Sequence, residues 1–326
     1  MNNFKKIGMT ALAASLVSTS VFAGEVTVSG GASMAVEGYS TNGEANAGKG
    51  FSMGNQLTFT GGGELDNGMT VGISFVLDQG DNETSAATSE GTAPFDSHSV
   101  SIGSDALGTL KLHGEGGSNA QAAIDTTAAG DIWDTFDDLG VTGTVVNSST
   151  SGANILVYSL PAIVDGVAAT VSYSPQGTGH NPSTAWAATY TGVEGLSVSY
   201  GIGNQDASSS AEGDTTTLSA SYAYGSFTVA YSNNDHQTET ADEDQETTSY
   251  KVSYTVSDAI SVTYGEEEID EQGDTTNAEY SKLSASYTAG GMTVTATSAE
   301  MKNGAFSSTS SADDKDYWSL GLAFAF

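Results

Sequence analysis

The sequence contains no cysteine and no arginine, and it has only four prolines in 326 residues. For an exported chain, the lack of cysteine excludes a disulfide framework. The lack of arginine leaves eight lysines as the only strong cations against 40 carboxylates, for a formal net charge of −32. Such a surface repels polyphosphate, so nucleic acid is excluded as a partner. Long apolar runs are also missing beyond the first two dozen residues, and the mean hydropathy is −0.18, which excludes transmembrane helices.

The one apolar run, Ile7 to Val21, follows Lys5 and Lys6 and ends at Val21-Phe22-Ala23. A positive start, a short apolar core and a small residue at the exit form a secretory signal over residues 1–23. A membrane anchor would need a longer run, and Ser15, Ser18, Thr19 and Ser20 dilute this one. Without the signal, 303 residues remain (24–326), with six lysines, 40 carboxylates and a net charge of −34.

What the chain has in abundance is short-range alternation. Leu196, Val198, Tyr200 and Ile202 alternate with Ser197, Ser199 and Gly201. Tyr250, Val252, Tyr254 and Val256 alternate with Lys251, Ser253 and Thr255, and the same pattern recurs at 71–77, 227–231 and 260–264. A period of two puts one set on each face of a strand. A soluble sandwich would turn the apolar face inward and carry charge on the other. Here the second face is mostly Ser, Thr, Gly and Ala, which favours lipid outside and water inside. The expected fold is therefore all-β, a transmembrane antiparallel barrel, with a soluble sandwich or solenoid as the rival.

The connections alternate short and long. Short ones fall at 66–68, 104–108, 161–166, 192–195, 225, 257–259 and 290–291, and long ones near 40–50, 79–95, 116–152, 175–183, 204–214, 235–246, 268–277 and 302–314. That is the pattern of short turns on one side of a membrane and longer loops on the other, joining about sixteen strands with both ends on the periplasmic side. A barrel of that size leaves an aqueous channel. Two aromatic girdles are expected, Tyr39, Phe51, Tyr173, Tyr231 and Tyr264 on the outer side and Phe59, Tyr190, Tyr224, Tyr254, Tyr287 and Phe326 on the periplasmic side.

The stretch from His113 to Gly152 breaks the alternation, and Asp125, Asp131, Asp134, Asp137 and Asp138 cluster in it around Ile132, Trp133 and Phe136. A connection this long in a compact fold is often functional. Irregular backbone at membrane depth must line water or be buried in protein, so residues 116–152 are expected to fold into the lumen and narrow it. The pore constriction would then be lined by Glu115, Asp125, Asp131, Asp134, Asp137 and Asp138, opposed by Lys111 as the inward-facing wall cation. Carboxylate oxygens suit Ca²⁺, which makes Asp131, Asp134, Asp137 and Asp138 a candidate Ca²⁺ site. No other cofactor is called for. The acidic runs Asp235 to Glu246 and Glu266 to Asp274 read either as solvated surface or as divalent-cation sites.

The last strand, DYWSLGLAFAF, puts Trp318, Leu320, Leu322, Phe324 and Phe326 on one face. A closing Phe on such a strand resembles the assembly signal of outer-membrane barrels. Glu25-Val26-Thr27-Val28-Ser29-Gly30-Gly31 resembles the first strand of alphaproteobacterial general porins, and Gly108-Thr109-Leu110-Lys111-Leu112-His113 is similar to the fifth strand leading into their third loop. The resemblance implies a sixteen-stranded homotrimer, inserted by the barrel assembly machinery into outer-membrane lipid, whose third loop forms an eyelet. Such porins usually set an arginine cluster on the wall facing that loop, and this chain departs from them in having none.

Enzyme chemistry finds no footing. His98, His113, His180 and His236 are scattered, and Gly61-Gly62-Gly63 lacks the last glycine of a dinucleotide motif, with Asp66 in its place. No P-loop and no nucleophile elbow is present. The expected function is passive diffusion of small hydrophilic solutes, with a preference for cations. The alternatives are an outer-membrane enzyme, which would need a nucleophile, a base and an orienting group, a substrate-specific channel, and an adhesin or structural barrel.

Overall fold

In a computed structural model, residues 26–41, 44–78, 95–137, 151–175, 181–205, 213–238, 244–304, 306 and 314–326 are described. They form β1 (Thr27–Thr41), β2 (Glu44–Glu64), β3 (Thr70–Asp78), β4 (Ser97–Ser104), β5 (Gly108–Glu115), β6 (Gly117–Ser118), β7 (Ser151–Gly152), β8 (Ile155–Ser159) and β9 (Val167–Ser174). Beyond these lie β10 (Ser183–Tyr190), β11 (Leu196–Gln205), β12 (Gly213–Tyr224), β13 (Phe227–Thr238), β14 (Gln245–Ser257), β15 (Ile260–Glu271), β16 (Ala278–Ala289), β17 (Met292–Lys302) and β18 (Lys315–Ala325). All but β6 and β7 belong to one closed barrel of sixteen antiparallel strands, in which each strand pairs with its chain neighbours and β18 returns to β1.

Closure is a register of direct partners from Gly31↔Ala325 to Thr41↔Lys315. At its end the Gly30 N–H donates to the Phe326 carbonyl at 2.8 Å and the Phe326 N–H to the Gly30 carbonyl at 3.0 Å. A Cβ at Gly30 would stand 2.8 Å from the Phe326 ring, so glycine makes room for the terminal aromatic. The hairpins at the same end are tight: Tyr224 faces Phe227 across two residues, and Gly225 takes a φ of 58° that side chains rarely adopt.

The two faces differ as the alternation requires. Val229 (47% exposed), Tyr250 (55%), Leu283 (52%) and Leu320 (48%) point outward. Leaving such side chains in water rather than burying them costs about 1.5–3 kcal/mol each, which decides for lipid as the outer medium. The opposite face carries Thr217, Ser232, Ser249 and Thr247, all buried. Trp318, Leu320, Leu322 and Phe324 share the outward face of β18, partnered across β17 and β1 by Ala296, Val294, Val36 and Met34 among others.

Two kinds of expectation need correction, loop bounds and one girdle residue. Strand reaches into three stretches expected as loops: the described residues of 40–50 are strand, as are 235–238, 245–246 and 268–271, with Asp235 paired to Glu246, Glu268 to Glu279 and Ile269 to Ala278. Backbone ladders do not depend on which side chains flank them. Past the apolar band the outer face can be acidic, and that hides the period of two in the sequence. Tyr39 does not join an outer girdle, because it pairs with the inward-facing Tyr317. Its ring instead meets the Lys315 ammonium, 4.8 Å from the ring centre. Most of the expected loops 79–95, 175–183, 204–214 and 302–314 lies outside the described residues.

Candidate functional site

The long connection leaves the wall at Glu115, and Gly116 (φ 62°) turns it inward. Its two ends are tied together where Gly117 pairs with Gly152 and Ser118 with Ser151. The Asn119 side chain then accepts from the Ala122 N–H at 2.8 Å and starts a 3₁₀ turn, Ala122–Ile124. From there the chain crosses the inner face of the barrel from β9 to β18.

Its tethers are inward-facing side chains of successive strands. The Ala120 N–H donates to Ser172 Oγ of β9 (2.8 Å), and Gln121 Nε2 donates to Thr217 Oγ1 of β12 (2.7 Å). On β13, Asn234 Nδ2 donates to the Asp125 carbonyl (2.7 Å) and Ser232 Oγ accepts from the Ala128 N–H (2.7 Å). Ser249 Oγ of β14 accepts from the Ala129 N–H (2.9 Å). Glu267 of β15 accepts from the Thr127 hydroxyl and, at 3.2 Å, from the Trp133 N–H. Lys282 Nζ of β16 donates to the Gly130 carbonyl at 3.1 Å. Each hydroxyl tether contributes about 0.5–1.5 kcal/mol, so the set outweighs any one of them.

The far end of the segment is held by apolar contact. Ile132 and Phe136 are fully buried with Ile269, Ala278, Tyr280, Ala299 and Met301, and Trp133 and Tyr317 pack at the edge. The Phe136 ring lies 5.9 Å from Tyr280 and 6.5 Å from Tyr317, centre to centre. A one-turn helix, Asp134–Asp137, carries Phe136 into this site.

The expected site residues separate into groups. Asp125 and Asp131 are near neighbours: burial, then the Asp131 charge, push the Asp125 carboxyl up to about 7. Asp131 adopts a left-handed φ of 44°, held by a reciprocal pair with Thr127, whose N–H donates to Asp131 Oδ1 (2.9 Å) and whose Oγ1 accepts from the Asp131 N–H (2.7 Å). Asp134 is exposed on the short helix. Asp138 and the Asp137 side chain lie outside the described residues. Glu115 stands apart, its carboxylate 4.0 Å from His98 Nδ1 at a register shift between β4 and β5. Lys111 faces inward, since it shares a row with Val157 and the loop-binding Ser172.

The candidate Ca²⁺ site finds no support in this geometry. Asp131 is turned to Thr127, and among the described residues no three His, Asp or Glu side chains converge on a metal position.

Lys111 is not the only wall cation, as the sequence reading had it. Lys251 pairs with Gly265 and Gly265 with Lys282, so two lysines flank a glycine on one inward row, directly under Ala129 and Gly130. Lys251 was legible, because it alternates with Tyr250 and Val252. Lys282 could have been found from the alternating Leu283 beside it. Glu267 had no such signal, being the middle of three consecutive glutamates.

Comparison with known proteins completes the site. A family model described as Gram-negative porin matches residues 8–281. A comparison with curated proteins returns no match. Among solved structures the chain is similar to a porin refined at 1.8 Å resolution (21% identity, TM-score 0.66, covering 93% of this chain and 100% of that one). It is also similar to a triple mutant of Rhodopseudomonas blastica porin (17%, 0.66, 93% and 100%) and to Salmonella typhi OmpF in complex with daunomycin (13%, 0.67, 93% and 98%). At these identities the structural likeness concerns the fold, while the family model covers most of the chain. The chain therefore belongs to the Gram-negative porin family, channel proteins of the outer membrane rather than enzymes.

Proposed function

We propose that this porin is a general diffusion channel for small hydrophilic solutes, with a preference for cations. In this reading residues 1–23 direct export and are removed. The barrel assembly machinery recognises Trp318, Leu320, Leu322, Phe324 and Phe326, and three copies assemble in outer-membrane lipid. The short turns face the periplasm, and residues 116–152 form the eyelet.

The observation that carries the reading is the course of the connection along the inner face from β9 to β18, tethered at Ser172, Thr217, Ser232, Ser249, Glu267 and Lys282. A segment so placed narrows the water path without chemistry. Lumen size sets the cutoff and the lining charges set selectivity. Asp125, Asp131 and Asp134, continued by Asp137 and Asp138, favour cations, and Lys111, Lys251 and Lys282 temper that preference.

The test is recording in planar bilayers together with swelling of protein-loaded liposomes in sugars of graded size. Diffusion predicts ohmic steps and uptake that falls with size without saturating. Saturation by one solute would indicate a substrate-specific channel, and absence of conductance a structural barrel.

A further inference from the structure

We infer that Glu267 is the positioning residue of the eyelet, a single buried carboxylate that clamps both ends of one turn of the loop, Thr127 to Trp133, against the wall. The inference rests on the eyelet reading above. Glu266, Glu267 and Glu268 are consecutive, and alternation separates them. Glu266 faces outward and accepts from the Tyr264 hydroxyl, and Glu268 accepts from Asn277 at the outer surface. Glu267 faces inward and is 2% exposed.

Its two oxygens serve different ends of one turn. One accepts from the Thr127 hydroxyl and the other from the Trp133 N–H. Between these residues lie Gly130 (φ 83°) and Asp131 (φ 44°), so the clamped stretch holds two consecutive residues with left-handed backbone. The Ser232, Ser249 and Lys282 tethers each hold one group within that stretch. Hydrogen bonds to a carboxylate are roughly twice as strong as neutral ones, and burial removes water as a competitor.

The wall beneath is shaped to match. Gly265 lies two residues before Glu267 on the same face, and a Cβ there would come within 2.6 Å of Ala129 Cβ. The loop therefore lies directly on the backbone of β15. Glu267 is covered by that loop and does not face passing ions, so its role is in aperture rather than charge. That separates it from Asp125, Asp131 and Asp134.

Two readouts decide, both in the natural cysteine-free background. The first is protease cleavage within 116–152 on the folded barrel in detergent, and the second is open-channel noise in planar bilayers. Glu267→Ala is expected to expose the loop to protease and raise the noise severalfold, with the reversal potential in a salt gradient little changed. Thr127→Val removes the same bond from the loop side without touching the barrel wall, together with the bond that Thr127 Oγ1 accepts from the Asp131 N–H, so should Glu267→Ala not insert, wild-type behaviour of Thr127→Val still overturns the clamp. A Thr127→Cys/Glu267→Cys pair is expected to be protected and quiet when oxidised, and cleaved and noisy after reduction. Loop protection and noise at wild-type levels in Thr127→Val, or in an inserted Glu267→Ala, would overturn the inference. A wild-type barrel with no conductance would instead overturn the channel reading, and protease protection would still decide the clamp.

Discussion

The two walls of this barrel are built from the same alternation and do different work. The wall from β12 to β16 is tall, with strands of 12 or 13 residues, and its lumen face offers hydroxyls, Glu267 and Lys282 to the loop. The wall from β3 to β5 and on to β8 is low, with strands of 9, 8, 8 and 5 residues. None of the tethers described above reaches it, and Lys111 faces the lumen from it. Height and inward chemistry together choose where the loop rests. The loop leans on the tall wall, and the proposed water path runs between it and the low one.

The largest way to break that contrast is to prevent the barrel from closing. Phe326 joins the seam to Gly30 through two backbone hydrogen bonds and presents an outward aromatic. Deleting it is expected to abolish most outer-membrane insertion while export continues, read as loss of the heat-modifiable folded species. Normal folded yield would remove Phe326 from the assembly role.

A smaller effect follows from unseating the loop's apolar end. Phe136→Ala empties a fully buried site among Tyr280, Met301 and Tyr317, and large-to-small changes of this kind cost about 3–5 kcal/mol. The cost falls on the loop's contact with the wall rather than on the ladders, so the barrel is expected to keep its strand content and thermal transition while residues 116–152 become protease-sensitive. A loop as resistant as wild type would place its hold elsewhere.

The smallest effect sharpens the electrostatic side of the comparison. Asp125 titrates near 7 in the folded loop, against an ordinary value of 3.8. The raised value means that the folded state favours the protonated form. Its stability contribution is full below about 3.8 and is lost as pH rises through about 7. Cation preference moves the opposite way, because the carboxylate is charged only above that point. Reversal potentials are expected to show weaker cation preference at pH 6 than at pH 8, and Asp125→Asn is expected to remove that step. An unchanged step in the variant would assign it to another group.

Much of the fold was legible in the sequence because a period of two is local. Strand positions, the short turns and the outward set on β18 follow from neighbours a few residues apart. The long connection was legible as an interruption of that period. What local pattern could not supply was register between distant strands. Glu267 looked like one of three solvated glutamates, and only its pairing with Tyr280 and the arrival of Thr127 from 140 residues away make it a buried clamp. Lys282 likewise becomes a loop contact only once β16 stands beside β15. The acidic strand ends of β13, β14 and β15 read as loops because their outer faces have passed beyond the apolar band.

The central claim is that loop carboxylates at an eyelet bias a water-filled barrel toward cations, and the direct measurement is the reversal potential in a salt gradient. Charges in a narrow aqueous passage with low-dielectric walls act strongly on passing ions. A bias of about 1.4 kcal/mol gives tenfold selectivity and fades as added salt shortens the screening length from about 10 Å at 0.1 M. The account predicts a cation-selective wild type. It also predicts that replacing Asp131, Asp134, Asp137 and Asp138 by Asn moves the reversal potential toward zero at a conductance of the same order. An anion-selective wild type, or a quadruple variant with undiminished cation preference, would contradict it.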